Sequence, residues 1–354
     1  MTDSLAIAEG LLRRPTAPFV EDLPAAHVRA FADERGLEHE TDAAGNVVVK
    51  YGTGTPLVLV AHLDHPGFLT TPGEVGVFDL EFKGGLSAVH ALADTPVDLF
   101  RRGEDEPVGR ARLVDVTADG RGFLDRATAG LVDGEVGDFA MWAFPGWSVS
   151  DGRITARVCD DLLGAAAILS VLDELSTSRP STCVWGLFTR AEEEGFLGAF
   201  EAIRLETVPR DADVLSLECS KALPHAPQGG GVIVRVGDRM SIFDPSLTAA
   251  LEAAARTVDG LTSQRRLMDG GACEATAFCA AGYRASGVAV PLGGYHNASD
   301  GQPGIVPETV LVDDYLAEVA LLTALAHAPD LLRPASGPPA WFAERSEKAR
   351  QALA

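Results

Sequence analysis

Five side chains, His62, Asp160, Glu193, Glu218 and His296, offer the imidazoles and carboxylates that zinc and related divalent metals accept. Each has an ordinary explanation when taken alone. His62-Leu63-Asp64 is a short motif of a kind that often arises without function. Asp160-Asp161 ahead of an apolar helix looks like an N-cap. Glu192-Glu193-Glu194 reads as solvated charge, and Tyr295-His296 beside glycines as a surface turn. Their placement argues for chemistry. His62 and Asp64 follow an apolar run at residues 57–61, Glu192 and Glu193 follow one at 184–189, and Glu218 follows one at 214–217. Sites in open α/β sheets form outside the carboxyl ends of strands. Unpaired carboxylates converging there are costly to bury, and a divalent cation removes that cost. Five ligands exceed the three that an open single-metal site takes from protein. A carboxylate shared by two ions ~3.5–4 Å apart would use all five. Asp64 then has a supporting role, accepting the free ring N–H of His62 and fixing its tautomer.

The elements that must carry these residues follow from the apolar pattern. Residues 20–36 read as a helix stopped by Gly36, residues 47–49 as a short strand, and residues 57–61 as a strand buried on both faces of a mostly parallel sheet. From about residue 68 to 150 the pattern changes to short alternating runs (75–82, 111–116, 138–144) separated by Gly, Asp and Pro, which reads as an all-β insertion. A small-residue helix at 162–175, strands at 184–189, 214–217 and 232–236, and amphipathic helices at 246–258 and 310–326 then restore the alternation of an α/β layered domain. The expected fold is thus α/β, a mixed, mostly parallel sheet flanked by helices, with an inserted all-β domain. The expected division is a discontinuous catalytic domain at 1–67 and 156–330, an insertion at 68–155 and a C-terminal tail at 331–354. The tail carries Gly-Pro-Pro and then a short helical stretch.

Composition narrows the functional classes. With 51 acidic against 29 basic residues the net charge is −22, which repels nucleic acid and anionic membranes, and no basic cluster is present. No apolar run approaches the ~20 residues of a membrane helix, and the acidic start does not read as a secretory signal. Five cysteines without CxxC spacing read as reduced thiols of a cytoplasmic protein.

The motifs Ala61-His62-Leu63-Asp64, Val158-Cys159-Asp160-Asp161, Ala191-Glu192-Glu193-Glu194-Gly195 and Tyr295-His296 occur in the order seen in dinuclear zinc aminopeptidases. The β-rich interval between Asp64 and Asp160, with Val136-Gly137-Asp138-Phe139 and Asp151-Gly152-Arg153-Ile154, is similar to the glutamyl and deblocking aminopeptidases, which include the self-compartmentalising tetrahedral enzymes. The resemblance spans about residues 42–322. It implies that Asp160 bridges two metals, that His62 and Glu218 complete one site and Glu193 and His296 the other, and that Glu192 is the general base. Gly270-Gly271-Ala272-Cys273-Glu274 resembles a Gly-rich loop near substrate, which makes Gly271 and Glu274 candidate substrate contacts, and His65 is a third. Shifting the base to Glu193 and the ligand to Glu194 remains the alternative order.

Three positions depart from the family pattern: Glu218 stands where many relatives carry Asp, His65-Pro66 replaces an acidic residue, and His296-Asn297-Ala298-Ser299-Asp300 replaces His-Ser-Pro. The expected enzyme is a metallo-aminopeptidase acting on short peptides. Its expected cofactors are two divalent ions, zinc first with cobalt or manganese as alternatives. Its expected assembly is a homo-oligomer as large as a dodecamer. An N-acyl amino acid deacylase on the same metal pair, or a non-catalytic assembly protein on the same fold, are the rival readings.

Overall fold

The apolar run at residues 57–61 becomes the centre of the main sheet. The computed structural model describes residues 4–71, 77–333 and 340–353. Helices α1 (Ser4–Leu12) and α2 (Asp22–Arg35) come first. Gly36 ends α2 in the left-handed conformation, φ 64°, and its N–H returns to the carbonyls of Ala32 and Asp33. The antiparallel pair β1 (Glu38–Thr41) and β2 (Val47–Tyr51) leads to β3 (Leu57–His62), in which every residue is buried. Leu57, Leu59 and Ala61 pack into one core and Val58 and Val60 into another, so the strand's two-residue period feeds both faces.

The chain then leaves the sheet. Strands β4 (Gly67–Thr71), β5 (Val77–Lys83), β6 (Pro96–Phe100), β7 (Gly109–Ala118), β8 (Leu124–Gly134) and β9 (Phe139–Trp142) close into an antiparallel barrel in the order β4-β5-β8-β7-β6-β9. Phe68 meets Phe82 and Trp142 edge-on, each ring 4.9 Å away, in a core separate from that of the sheet. Of the strand run expected at 75–82, residues 75 and 76 lie outside the described residues.

Strands β10 (Ser148–Ser150) and β11 (Arg153–Ala156) bring the chain back to α3 (Leu162–Ser178). Gly164, Ala165, Ala166 and Ala167 let α3 lie close on the sheet. There follow β12 (Val184–Thr189), α4 (Leu197–Arg204), β13 (Asp213–Ser216), β14 (Cys219–Lys221), β15 (Val232–Asp238), α5 (Pro245–Ala255), β16 (Ser263–Met268), α6 (Glu274–Ala280), β17 (Arg284–Leu292), β18 (Glu308–Leu311), α7 (Val312–His327) and α8 (Ala340–Leu353). The sheet order is β1-β2-β12-β3-β13-β17-β15-β16, with β14 beside β17. Strands β12, β3, β13 and β17 are parallel, while β2 and β15 run against their neighbours β12 and β17. The fold is the expected mixed sheet with helices and an all-β unit. Among the described residues no helix is long and apolar enough to cross a membrane.

One expected element divides. The helix read at 310–326 begins at Val312, because residues 308–311 form β18 and pair with β11 in a small sheet. The helix read at 246–258 runs from Pro245 to Ala255, starting where Asp244 caps it. Asp244 Oδ1 accepts from the N–H groups of Ser246 and Leu247, both at 2.9 Å. Burial works against this carboxylate, but those bonds and the Ser246 hydroxyl outweigh it and hold its pKa below the ordinary value. Asp244→Ala should therefore destabilise the fold by about 1 kcal/mol. Because the folded pKa is depressed, the difference should be full above the unfolded range near ~3.9 and vanish as pH falls through the folded value. Denaturant titrations of both proteins across that range check it.

Candidate metal centre

The parallel strands β12, β3 and β13 deliver their C-terminal ends to one edge of the sheet. His62 is the last residue of β3, Glu192 and Glu193 occupy a short turn after β12, and Glu218 follows β13. Asp160 sits just before α3, and His296 lies in a tight turn after β17. His62 Nε2 lies 3.5 Å from Asp160 Oδ1, His296 Nε2 lies 3.7 Å from Asp160 Oδ2, and His296 Nε2 lies 3.1 Å from Glu193 Oε1. The ligand atoms of His62, Asp160 and Glu218 all fall within 4.8 Å of one another, as do those of Asp160, Glu193 and His296. Asp160 belongs to both groups.

These residues fit divalent cations on chemical grounds. Asp160 Oδ1, Glu193 Oε1 and Glu218 Oε1 are buried without a hydrogen-bond partner, which an interior tolerates only when something else compensates the charge. Burial, with Asp160 beside it, pushes Glu218 up to about 8. Burial also raises Glu192 well above the carboxylate range, with Glu218 and Glu193 adding to the rise against His62. His296 goes the other way for an imidazole: burial opposes the charge, but Glu193 and Asp160 raise it to about 9. The whole cluster is short of positive charge.

Asp64 and His65 support the site largely through the backbone. The Asp64 carboxylate accepts the N–H groups of Glu192 (2.9 Å) and Glu193 (3.1 Å), and it is the Asp64 carbonyl, at 3.2 Å, that takes the ring N–H of His62. Its Oδ1 lies 3.6 Å from His62 Nδ1. Asp64 therefore shapes the turn that aims both glutamates, because backbone N–H groups in a turn have no ladder partner. His65 is fully buried; its Nδ1 donates to the Asp160 carbonyl at 2.7 Å and its Nε2 lies 3.0 Å from Asn297 Oδ1. With both ring nitrogens engaged it has no polar atom left for substrate.

Glu308 was not singled out from the sequence. Its Oε2 accepts from the N–H groups of Cys159 (2.7 Å) and Asp160 (3.0 Å), and its Oε1 accepts from the N–H of His296 (2.9 Å). One carboxylate thus ties together the chain segments that carry Asp160 and His296. The barrel also reaches the site. The Gly85 carbonyl accepts from His296 Nδ1 at 2.5 Å, and the Gly84 N–H donates to Glu194 Oε1 at 2.8 Å. Gly84 has φ 98°, and a Cβ there would stand 3.0 Å from Pro66, so only glycine suits the turn.

A pocket of about 110 Å³ opens beside Glu218, lined also by Gly271, Tyr295, Met268 and Arg235. Arg235 is almost fully buried and its Nε has no hydrogen-bond partner. Gly271, a candidate substrate contact, lines this pocket. Glu274 does not line it; it is fully buried at the start of α6, and burial pushes its carboxyl up to about 7.

The family model for M42 glutamyl aminopeptidases matches residues 121–300, half of the chain. The chain belongs to that family. It is accordingly an aminopeptidase, a hydrolase that uses divalent metal. A TET aminopeptidase from a marine-sediment Thaumarchaeota archaeon is 17% identical, with a TM-score of 0.78 over 93% of this chain and 98% of that one. An aminopeptidase from the archaeon Desulfurococcus kamchatkensis is 19% identical, with a TM-score of 0.77 over 95% and 98%. The TET1 peptidase of Pyrococcus horikoshii is 18% identical, with a TM-score of 0.76 over 92% and 99%. At such identities the likeness is one of fold.

In this M42 member Glu308→Ala should leave three backbone N–H groups unanchored and weaken metal binding by about 10–100-fold. Competition with a calibrated chelator measures it. Wild-type affinity in the variant would rule out the anchoring role.

Proposed function

We propose that this aminopeptidase hydrolyses the N-terminal peptide bond of short peptides with two divalent ions, zinc first. His62, Asp160 and Glu218 would hold one ion, and Asp160, Glu193 and His296 the other. The observation that supports this most is the membership of Asp160 in both buried ligand groups. Bound there, the pair would supply Lewis acidity toward the scissile carbonyl, activate water and anchor the free α-amino group of the peptide.

The chain's own groups do the rest. Glu192, buried next to the first ligand group with Oε2 3.9 Å from His62 Nε2, takes the proton of the attacking water and then gives it to the leaving amine. Asp64 fixes the turn that separates Glu192, the base, from Glu193, the ligand. Arg235 gives the adjacent pocket a buried cation with an unsatisfied donor, which favours an acidic first residue in the substrate.

The insertion, 68–155, is the proposed assembly and access module. Val89, Val114, Phe123 and Val132 are exposed there, and the Pyrococcus horikoshii peptidase of the same fold can assemble into a tetrahedron or a large octahedral shell. A homo-oligomer, as large as a dodecamer, is the assembly proposed for this chain. All five cysteines are free thiols, which suits the cytoplasm.

Glu192→Gln should keep its metal and lose roughly 10²–10⁴ in kcat with little change in KM. Near-normal turnover at full metal occupancy would place the base elsewhere, and loss of one ion would reverse the roles of Glu192 and Glu193. Glutamyl chromogenic substrates should be cleaved in preference to leucyl ones. Arg235→Met should lower kcat/KM for the glutamyl substrate by about 10–100-fold, the value of one charge-assisted hydrogen bond, and leave the leucyl substrate little affected. Equal losses on both substrates would remove Arg235 from the specificity pocket.

A further inference from the structure

A cavity of about 790 Å³ lies away from the metal centre, between α1 with its following loop and the barrel. Arg13 and Arg112 beside it are exposed and paired, with Glu9 at 2.7 Å and Asp94 at 3.1 Å, while the half-buried Arg14 pairs with Asp105 at 2.5 Å and keeps an enclosed Nε without a hydrogen bond. Arg157 is different. Its side chain is only 7% exposed, its Nε is buried without a hydrogen-bond partner, and its nearest carboxylate, Asp98, stands 3.9 Å away. The guanidinium is held over the Phe100 ring, 4.8 Å from the centroid. Asp98 Oδ1 is likewise buried and lacks a hydrogen bond, although Arg110 Nε approaches to 3.4 Å.

A buried arginine and a buried aspartate thus stand side by side in the cavity wall, 3.9 Å apart, each with one enclosed polar atom that lacks a hydrogen bond. A simple anion would satisfy Arg157 but meet the Asp98 carboxylate, and a simple amine would meet the reverse conflict. An α-amino acid carries a carboxylate and an ammonium on one carbon and answers both. We propose that this cavity binds a free zwitterionic α-amino acid, with its carboxylate on Arg157 and its ammonium on Asp98.

The site is wired to the metal centre. The Arg157 carbonyl accepts from Asn297 Nδ2 at 3.1 Å, Asn297 Oδ1 lies 3.0 Å from His65 Nε2, and His65 Nδ1 donates to the Asp160 carbonyl at 2.7 Å. A ligand that orders Arg157 therefore bears on the backbone that carries Asp160 and on the turn that carries His296. Free amino acids are the class of molecule the proposed reaction releases, so the cavity would report accumulated product. Binding itself does not depend on that reaction.

The test is calorimetric titration of the full-length protein with L-leucine, with the metal centre blocked by an aminoacyl hydroxamate. Saturable binding is expected, weakened by about 10-fold or more in Arg157→Gln and in Asp98→Asn, the value of a charge-assisted hydrogen bond. Acetate and ethylamine should each bind far more weakly than L-leucine. Asp98 has the more exposed side chain, so Asp98→Asn is the variant to rely on if Arg157→Gln does not fold. No saturable binding, equal binding by wild type and Asp98→Asn, or acetate binding as well as L-leucine would each overturn the proposal. If the chain held no metals and the hydroxamate found no site, the titration would still read this cavity, so the two claims fail separately.

Discussion

Everything in this site is arranged around one buried carboxylate. Asp160 lies within reach of both His62 and His296, and its neighbours Glu193 and Glu218 are carboxylates as well. Collecting that much negative charge in the interior is unfavourable unless cations complete it. The protein commits its backbone to the arrangement all the same. Glu308 holds the Asp160 N–H, His65 holds its carbonyl, and Asp64 holds the turn that brings Glu192 and Glu193 to it. The carboxylates Asp64 and Glu308 accept hydrogen bonds from backbone N–H groups here, and those bonds fix the chain.

The same constraint explains why the barrel is more than an appendage. His296 is oriented from behind by the Gly85 carbonyl, and Glu194 is tied to the Gly84 N–H. The insertion thus touches the outer side of one ligand group, and its first strand begins soon after His62. A change in how the barrel is held, by a neighbouring subunit for instance, reaches His296 through one turn. The candidate metal centre and the barrel are physically adjacent in this fold.

Much of this was legible in the sequence because apolar runs ending in His or Glu mark strand ends. Strand β3 and His62, and β12 and Glu192-Glu193, follow that pattern directly. The missed elements have equally definite causes. Strand β17 lies between β13 and β15, but Gly287 and Pro291 interrupt its apolar run and hide it. Strand β18 merges in sequence with the apolar face of α7, and so Glu308 did not stand out. Arg235 is an arginine inside a strand of valines, and only the closure of the sheet shows it facing a pocket beside Glu218. At His65 the sequence names the residue but not its partners. Both are contributed by segments far along the chain, so its role as a strut emerges only in three dimensions.

The measurement that tests the central claim is metal stoichiometry. Elemental analysis of wild type, His62→Ala and Asp160→Ala, each loaded with zinc and gel-filtered, compares the three directly. If Asp160 is shared, the wild type should carry about two ions per chain, His62→Ala about one, and Asp160→Ala close to none, because both ions lose a ligand and their mutual repulsion is no longer screened. Asp160→Ala with the metal content of the wild type, or with the same single ion as His62→Ala, would contradict a bridge at Asp160.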